Sequence, residues 1–277
     1  MWPPAGPAAL RWIKSRGGSG CQDGTVTAHA IVLAVEGPVA TATLSRSPVN
    51  AIDEAWLARL DEILAGLECS EGATVLHLRS AERVFCAGAD LALMRSRFGS
   101  AEGRSAMVAY VREIHRVFAR LERLPLVTLA EIGGAALGGG LELTLACDLR
   151  IASNEAQLGL PEARLGLLPG GGGTQRLARI AGEAAAKRLI LGAEVVSGAQ
   201  AASLGIVQWA VPQEQLAARA RAIAAAVGEL PREALAFCKR CIASPGAAGF
   251  EMEVQGTASL LASDGTQRRV RAFLEKR

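Results

Sequence analysis

Two apolar runs, 126–132 and 141–147, are joined by a glycine-rich link, so that 132–142 reads Ile-Gly-Gly-Ala-Ala-Leu-Gly-Gly-Gly-Leu-Glu. An apolar run of strand length, a glycine cluster and a second apolar run predict a strand, a tight turn and the first turn of a helix. Glycines at 138–140 let the backbone approach a bound group closely, while a helix start leaves its first N–H groups unpaired. Because such a terminus favours negative charge, the amide of Gly139 is placed to hold a carbonyl oxygen that becomes anionic. Glu142 then projects from the first helical turn beside that oxygen. A turn whose glycines merely pack is the other reading, and further stretches have to decide between the two.

Two stretches bear on it. Val84-Phe85-Cys86-Ala87-Gly88-Ala89-Asp90-Leu91 follows the strand-like run 73–78. Its small residues again permit close approach, so the amide of Ala89 is available as a second donor to the same oxygen. Each donor of such an oxyanion hole is worth on the order of 3 kcal/mol as charge develops in a dry site. The stretch 158–176, LGLPEARLGLLPGGGGTQR, places Glu162 after Pro161 and opens the next helix with Gly170 to Gly173. Carboxylates are rarely buried without a partner, and a second glutamate reaching the first is an arrangement for acid and base work on one substrate. A surface glutamate at a turn is the plain alternative.

The chain has 277 residues, 50% hydrophobic and 21% charged, enough for a full core in one domain or one domain with an appendage. A net charge of +3 fits an anionic small molecule as well as nucleic acid. Charges such as Glu36 break every apolar run well short of the ~18 residues a membrane-spanning helix needs. The six cysteines are scattered, and the pair Cys238 and Cys241 lacks a second pair or histidines at metal spacing, so reduced thiols and no metal site are expected. Residues 1–24 hold no acidic residue before Asp23, and Pro7, Arg11 and Lys14 cut any signal-peptide core. This acid-poor start is compatible with a transit peptide, but the alanine- and arginine-rich chain points to a bacterial, cytoplasmic protein whose first 24 residues stand outside the fold.

Two β-rich runs in 25–44 flank Glu36-Gly37-Pro38 and predict a hairpin. Residues 50–67 carry the 3.6-residue stripe Trp56, Leu57, Leu60, Ile63, Leu64, Leu67, a helix packed on a sheet. Strand and helix then alternate: 73–78 strand, 105–124 helix, 126–132 strand, 141–147 helix, 149–152 strand. That order predicts an α/β core with mostly parallel pairing. After about Thr174 the pattern is nearly unbroken helix, with Pro212 and Pro231 as first-turn prolines.

Taken together, FCAGADL, ALGGGLELTLACDLRIAS, LGLPEARLGLLPGGGGTQRL and the terminal FLEKR resemble the enoyl-CoA hydratase/isomerase (crotonase) superfamily from about Thr25 to the end. The resemblance implies a crotonase-like spiral of ββα repeats over 25–200 and a helical region over 201–277 that assembles homotrimers, often homohexamers. It implies a substrate carried as a coenzyme A thioester and no permanently bound cofactor. Carried over by position, Ala89 and Gly139 supply the oxyanion-hole amides, and Glu142 and Glu162 are the catalytic carboxylates. Ala87, Ala89, Asp90, Leu91 and Gly138 contact the substrate and its CoA, while Phe273 and Lys276 approach the CoA of a neighbouring subunit. Keeping both glutamates favours a hydratase over a 3,2-enoyl-CoA isomerase, which needs one.

The sequence departs from the family pattern at Ala92, where many members carry a CoA-binding lysine, leaving Arg95 or Arg97 as substitutes. Its wording is similar to that of methylglutaconyl-CoA hydratases, some of which also bind RNA. With 4% aromatic residues and helices of mixed charge, the chain offers little for nucleic acid. It has no G-x-S-x-G elbow, P-loop or G-x-G-x-x-G run. His77 reads as a core residue and His115 as a helix-surface one, and Asp148 and Arg150 as a structural pair. The acyl-chain pocket is expected to draw on the stretch 93–111.

Overall fold

In the computed structural model, which describes residues 30–70 and 72–275, the hairpin opens a larger sheet. Strands β1 (Ile31–Glu36) and β2 (Val39–Leu44) pair antiparallel across Gly37-Pro38. The sheet then runs parallel through β3 (Val75–Ser80) and β4 (Val127–Ile132). It continues through β6 (Leu149–Ser153) and ends at β9 (Trp209–Val211). Parallel neighbours require crossovers, and those after β3 visit a second, smaller sheet. That sheet holds β5 (Ala136–Leu137), β7 (Gln157–Gly159) and β8 (Val195–Ser197), with Cys86 bridging Ala136 at its margin.

The helices complete each turn. Helix α1 (Glu54–Glu68) begins where Asp53 Oδ1 accepts from Trp56 N at 2.8 Å, a cap worth about 1 kcal/mol. Its whole predicted stripe, Trp56 to Leu67, is buried. The helix does not reach back to Asn50, because Asn50 Nδ2 is held by Ser80 Oγ and Phe85 O and Ile52 bridges Ala89. Helices α2 (Leu91–Arg97) and α3 (Ala101–Arg123) follow β3, α4 (Gly139–Leu145) follows β5, and α5 (Gly173–Leu191) follows β7. Strand, short strand and helix thus repeat as a ββα spiral. The main core fills the space between the sheets, α1 and α3. A second cluster on the far face joins Val75, Leu129 and Ile151 to Leu216, Ala220 and Ile223. Each valine, leucine or isoleucine among them contributes roughly 1.5–3 kcal/mol when fully buried.

The stretch after Thr174 differs from the predicted near-continuous helix. Beyond α5 the chain forms β8, α6 (Gly198–Ser203) and β9 before α7 (Gln213–Gly228), α8 (Arg232–Ala243), α9 (Ala247–Ala262) and α10 (Asp264–Glu275). Three-residue strands carry too little period to be read, and they are strands because β7 and β6 offer them edges. Pro212 and Pro231 are N-caps, one residue ahead of the first turn. Asp148 and Arg150 do not pair with each other. Asp148 accepts from Thr128 and from Lys239 Nζ at 2.7 Å, while Arg150 donates to the carbonyls of Ile206, Thr144 and Cys147. His77 is buried beside Glu131 at 2.9 Å, in the core as expected. No helix among the described residues is long and apolar enough to cross a membrane. Residues 1–24, His29 and Lys276 lie outside the described residues.

Candidate active site

The two glycine turns meet. In the parallel bridge between Ile52 and Ala89, Ile52 N donates to Gly88 O and Asp90 N donates to Ile52 O, so the N–H of Ala89 faces away from that bridge. Gly139 is the first residue of α4, so its N–H has no carbonyl one turn earlier to donate to. The two amides are neighbours: a Cβ built on Gly139 would lie 3.4 Å from Ala89 N. Gly88 makes the approach possible, with a φ of +97° and a would-be Cβ only 3.1 Å from Gly139 N. Arg46 braces the turn by pairing with Asp53 at 2.8 Å and Asp90 at 3.0 Å.

Glu142 projects from α4 into the interior and is 3% exposed. Its Oε1 accepts from Gly171 N at 2.7 Å and Gly173 N at 2.8 Å, leaving Oε2 for the cavity. No side chain fits at either glycine, since a Cβ would come within 2.5 Å of Oε2 at position 171 and 2.9 Å of Oε1 at position 173. Burial pushes the Glu142 carboxyl up, while the two amides and the nearby Arg176 charge pull it down. Glu162 comes from the short 3₁₀ turn Pro161–Leu165, and its Oε2 is buried without a hydrogen-bond partner among the described residues. Burial, with a smaller push from Glu142, raises this carboxyl to about 7. The two glutamates therefore sit in unlike settings, one held by amides and one nearly naked, which is how paired carboxyls come to take base and acid roles.

Both carboxylates and both amides line one cavity of about 740 Å³. Ala87, Leu91 and Gly138 line it too, while Met94, Phe98, Met107 and Val108 bring in the expected stretch 93–111. Asp90 does not reach the lining. Its carboxylate, held low by Arg46, caps α2 through Ala92 N and Leu93 N. Phe273 lies on α10 beside Pro231, Leu260 and Val270, away from this cavity. Of the proposed lysine substitutes, Arg97 pairs with Glu54 at 2.8 Å and Arg95 is exposed. His115, expected on a helix surface, is exposed and also borders the cavity. Sequence reasoning missed the grip of Gly171 and Gly173 on Glu142, although the glycine run itself was the signal. It also missed Tyr110, whose hydroxyl donates to Ile52 O at 2.9 Å behind the Ala89 turn. Two spare amides beside two unlike carboxyls can stabilise an anionic oxygen while moving two protons.

A family model described as enoyl-CoA hydratase/isomerase matches residues 35–277. A Bacillus subtilis protein named "Probable enoyl-CoA hydratase" is 36% identical over 254 residues, covering 90% of this chain and 97% of that protein. The mitochondrial methylglutaconyl-CoA hydratase of Mus musculus is 40% identical over 167 residues, covering 60% of this chain and 52% of that protein. The crystal structure of an enoyl-CoA hydratase from Bacillus anthracis superposes with a TM-score of 0.83 at 34% identity, covering 90% of this chain and 97% of that one.

Proposed function

The chain belongs to the enoyl-CoA hydratase/isomerase family, and from that premise we propose that it adds water syn across the α,β double bond of a 2-enoyl-CoA thioester. The observation that carries this reading is the convergence of two carboxyls in unlike settings, Glu142 held by two amides and Glu162 with a buried oxygen that has no partner among the described residues, on the cavity that also receives the amides of Ala89 and Gly139. The thioester oxygen accepts from both amides, which draws electron density from the double bond and leaves Cβ electrophilic. Water attacks Cβ while Glu142 Oε2 takes its proton, and the displaced π electrons form an enolate at the amide pair. As the enolate collapses, Glu162 gives its proton to Cα. A proton then passes from Glu142 back to Glu162 across the cavity they share, so the net change is one water added. Positioned transfer of this kind contributes ~10² to 10⁴-fold.

The cavity wall from α2 and α3 is mainly apolar, which supports an uncharged acyl chain. Arg112 and His115 also border the cavity, and that favours a second substrate class with a distal carboxylate, such as a methylglutaconyl group. The protein is proposed to work in the cytoplasm of a bacterium and to bind no permanent cofactor. Assembly into trimers or hexamers belongs to the same reading, and the exposed Ile242, Phe250, Val254 and Leu261 of α8 and α9 support it. The test is a panel of crotonyl, longer-chain and 3-methylglutaconyl thioesters followed by loss of enone absorbance, with a 3-enoyl-CoA alongside. Hydration of at least one 2-enoyl-CoA is expected. Double-bond migration on the 3-enoyl-CoA without hydration of any 2-enoyl-CoA would overturn the reading in favour of an isomerase.

A further inference from the structure

The loop that grips Glu142 is itself gripped from behind. Arg176, in the first turns of α5, folds back so that its Nη1 donates to Gly171 O at 2.9 Å. The N–H of the same Gly171 residue donates to Glu142 Oε1 at 2.7 Å. The Arg176 side chain is 9% exposed, and Glu122 of α3 holds its guanidinium, with Glu122 Oε2 at 3.0 Å from both Nε and Nη2. Arg179 pairs with the other oxygen of Glu122. A Cβ at Gly172 would collide with Arg176 Nη1, so the loop is shaped around this side chain.

Resting on the hydratase reading, we infer that Arg176 is a positioning residue, anchored by Glu122, that aims Glu142 through Gly171 and keeps a compensating positive charge behind it. A guanidinium suits this task because its fixed fork binds a carboxylate on one side and a carbonyl on the other without losing its charge. Buried opposite charges hold a neighbouring carboxylate ionised more strongly than exposed ones. The groups facing Glu142, its loop or its cavity are Arg176 and Arg179 from α5, Glu122, Arg112 and His115 from α3, and Glu162 from the 3₁₀ turn. Among them Arg176 is the buried permanent cation, while Arg112 and Arg179 are exposed. Without it Glu142 has burial against it and only two amides in its favour.

Arg176→Gln in the full-length protein is expected to lower kcat ~10- to 100-fold with KM within about threefold, because geometry at the base is lost while the binding surface is kept. The acidic limb of the kcat/KM profile, which reports ionisation of the base, should move to higher pH. Arg176→Lys should restore part of both. In a Glu142→Gln background the same change should cost less than about threefold, since residues acting as one unit are not additive. Glu122→Gln, a milder change outside the cavity, should also lower kcat, by less than Arg176→Gln, because the guanidinium loses its anchor. If Arg176→Gln lowers only the melting temperature and leaves the limb in place, or costs as much without Glu142 as with it, the inference is wrong. Carbon-13 NMR titration of glutamate-labelled protein follows Glu142 without any substrate. It therefore separates failure of this inference, in which the Glu142 titration is unchanged in the variant, from failure of the hydratase reading.

Discussion

A carboxyl raised to about 7 by burial is only half protonated in neutral solution, and Glu162 bears that cost in the folded state. Its unfolded value is near 4.5. A raised folded value means a contribution to stability that is complete below pH ~4.5 and lost as pH climbs through ~7. Glu162→Gln removes that loss, so the variant should gain on wild type as pH rises, by about 1–2 kcal/mol at pH 8 after discounting for partial solvation. Urea unfolding at pH 5 and pH 8 measures it, and an equal difference at both values would contradict the assignment. Glu142, Glu162, Ala89 and Gly139 were legible in the sequence because each sits in a local glycine or proline turn whose chemistry is written within a few residues. Arg176 was not, since its partner Glu122 stands 54 positions away and the loop it braces reveals its purpose only when folded. Asp148 and Arg150 misled for the converse reason: closeness in sequence suggested a pair, while the fold gave Asp148 to Thr128 and Lys239 and Arg150 to backbone carbonyls.

At the level of elements, the start of α4 makes the proposed oxyanion hole unusually open to test. Gly139 is the first helical residue, a position where proline's fixed φ is tolerated and its missing N–H breaks no helical bond. A Cβ there meets nothing nearer than 3.4 Å. Gly139→Pro should therefore remove one donor and keep the helical φ, with its ring carbon pressed toward the Gly88 turn. Turnover of an enoyl-CoA should fall by at least ~10²-fold while the circular dichroism spectrum stays native. Wild-type turnover in this variant would exclude the amide from the chemistry. Elements with a strong period were readable, as the α1 stripe shows, and so were strands flanked by turn residues. β8 and β9 were not, because short edge strands take their conformation from neighbours contributed by remote parts of the chain.

For the whole molecule, the helices after β9 expose apolar side chains that no other described residue covers. Ile242 is 84% exposed and Phe250 69% exposed, more than a lone surface residue would need to explain. Light scattering should find the protein as a trimer or hexamer, and deleting residues 260–277 should weaken both assembly and CoA binding. A monomer that binds CoA normally would remove Phe273 and Lys276 from the CoA site. Beyond assembly, the proposed hydration needs two carboxyls acting together in one cavity. The most direct measurement is the hydration rate of a 2-enoyl-CoA by Glu142→Gln and by Glu162→Gln, taken with the affinity of each variant for the CoA ester. Both should lose at least ~10²-fold in kcat while affinity stays within about threefold, since the carboxyls act in the transition state. Wild-type-like turnover in either variant would contradict the two-carboxylate mechanism.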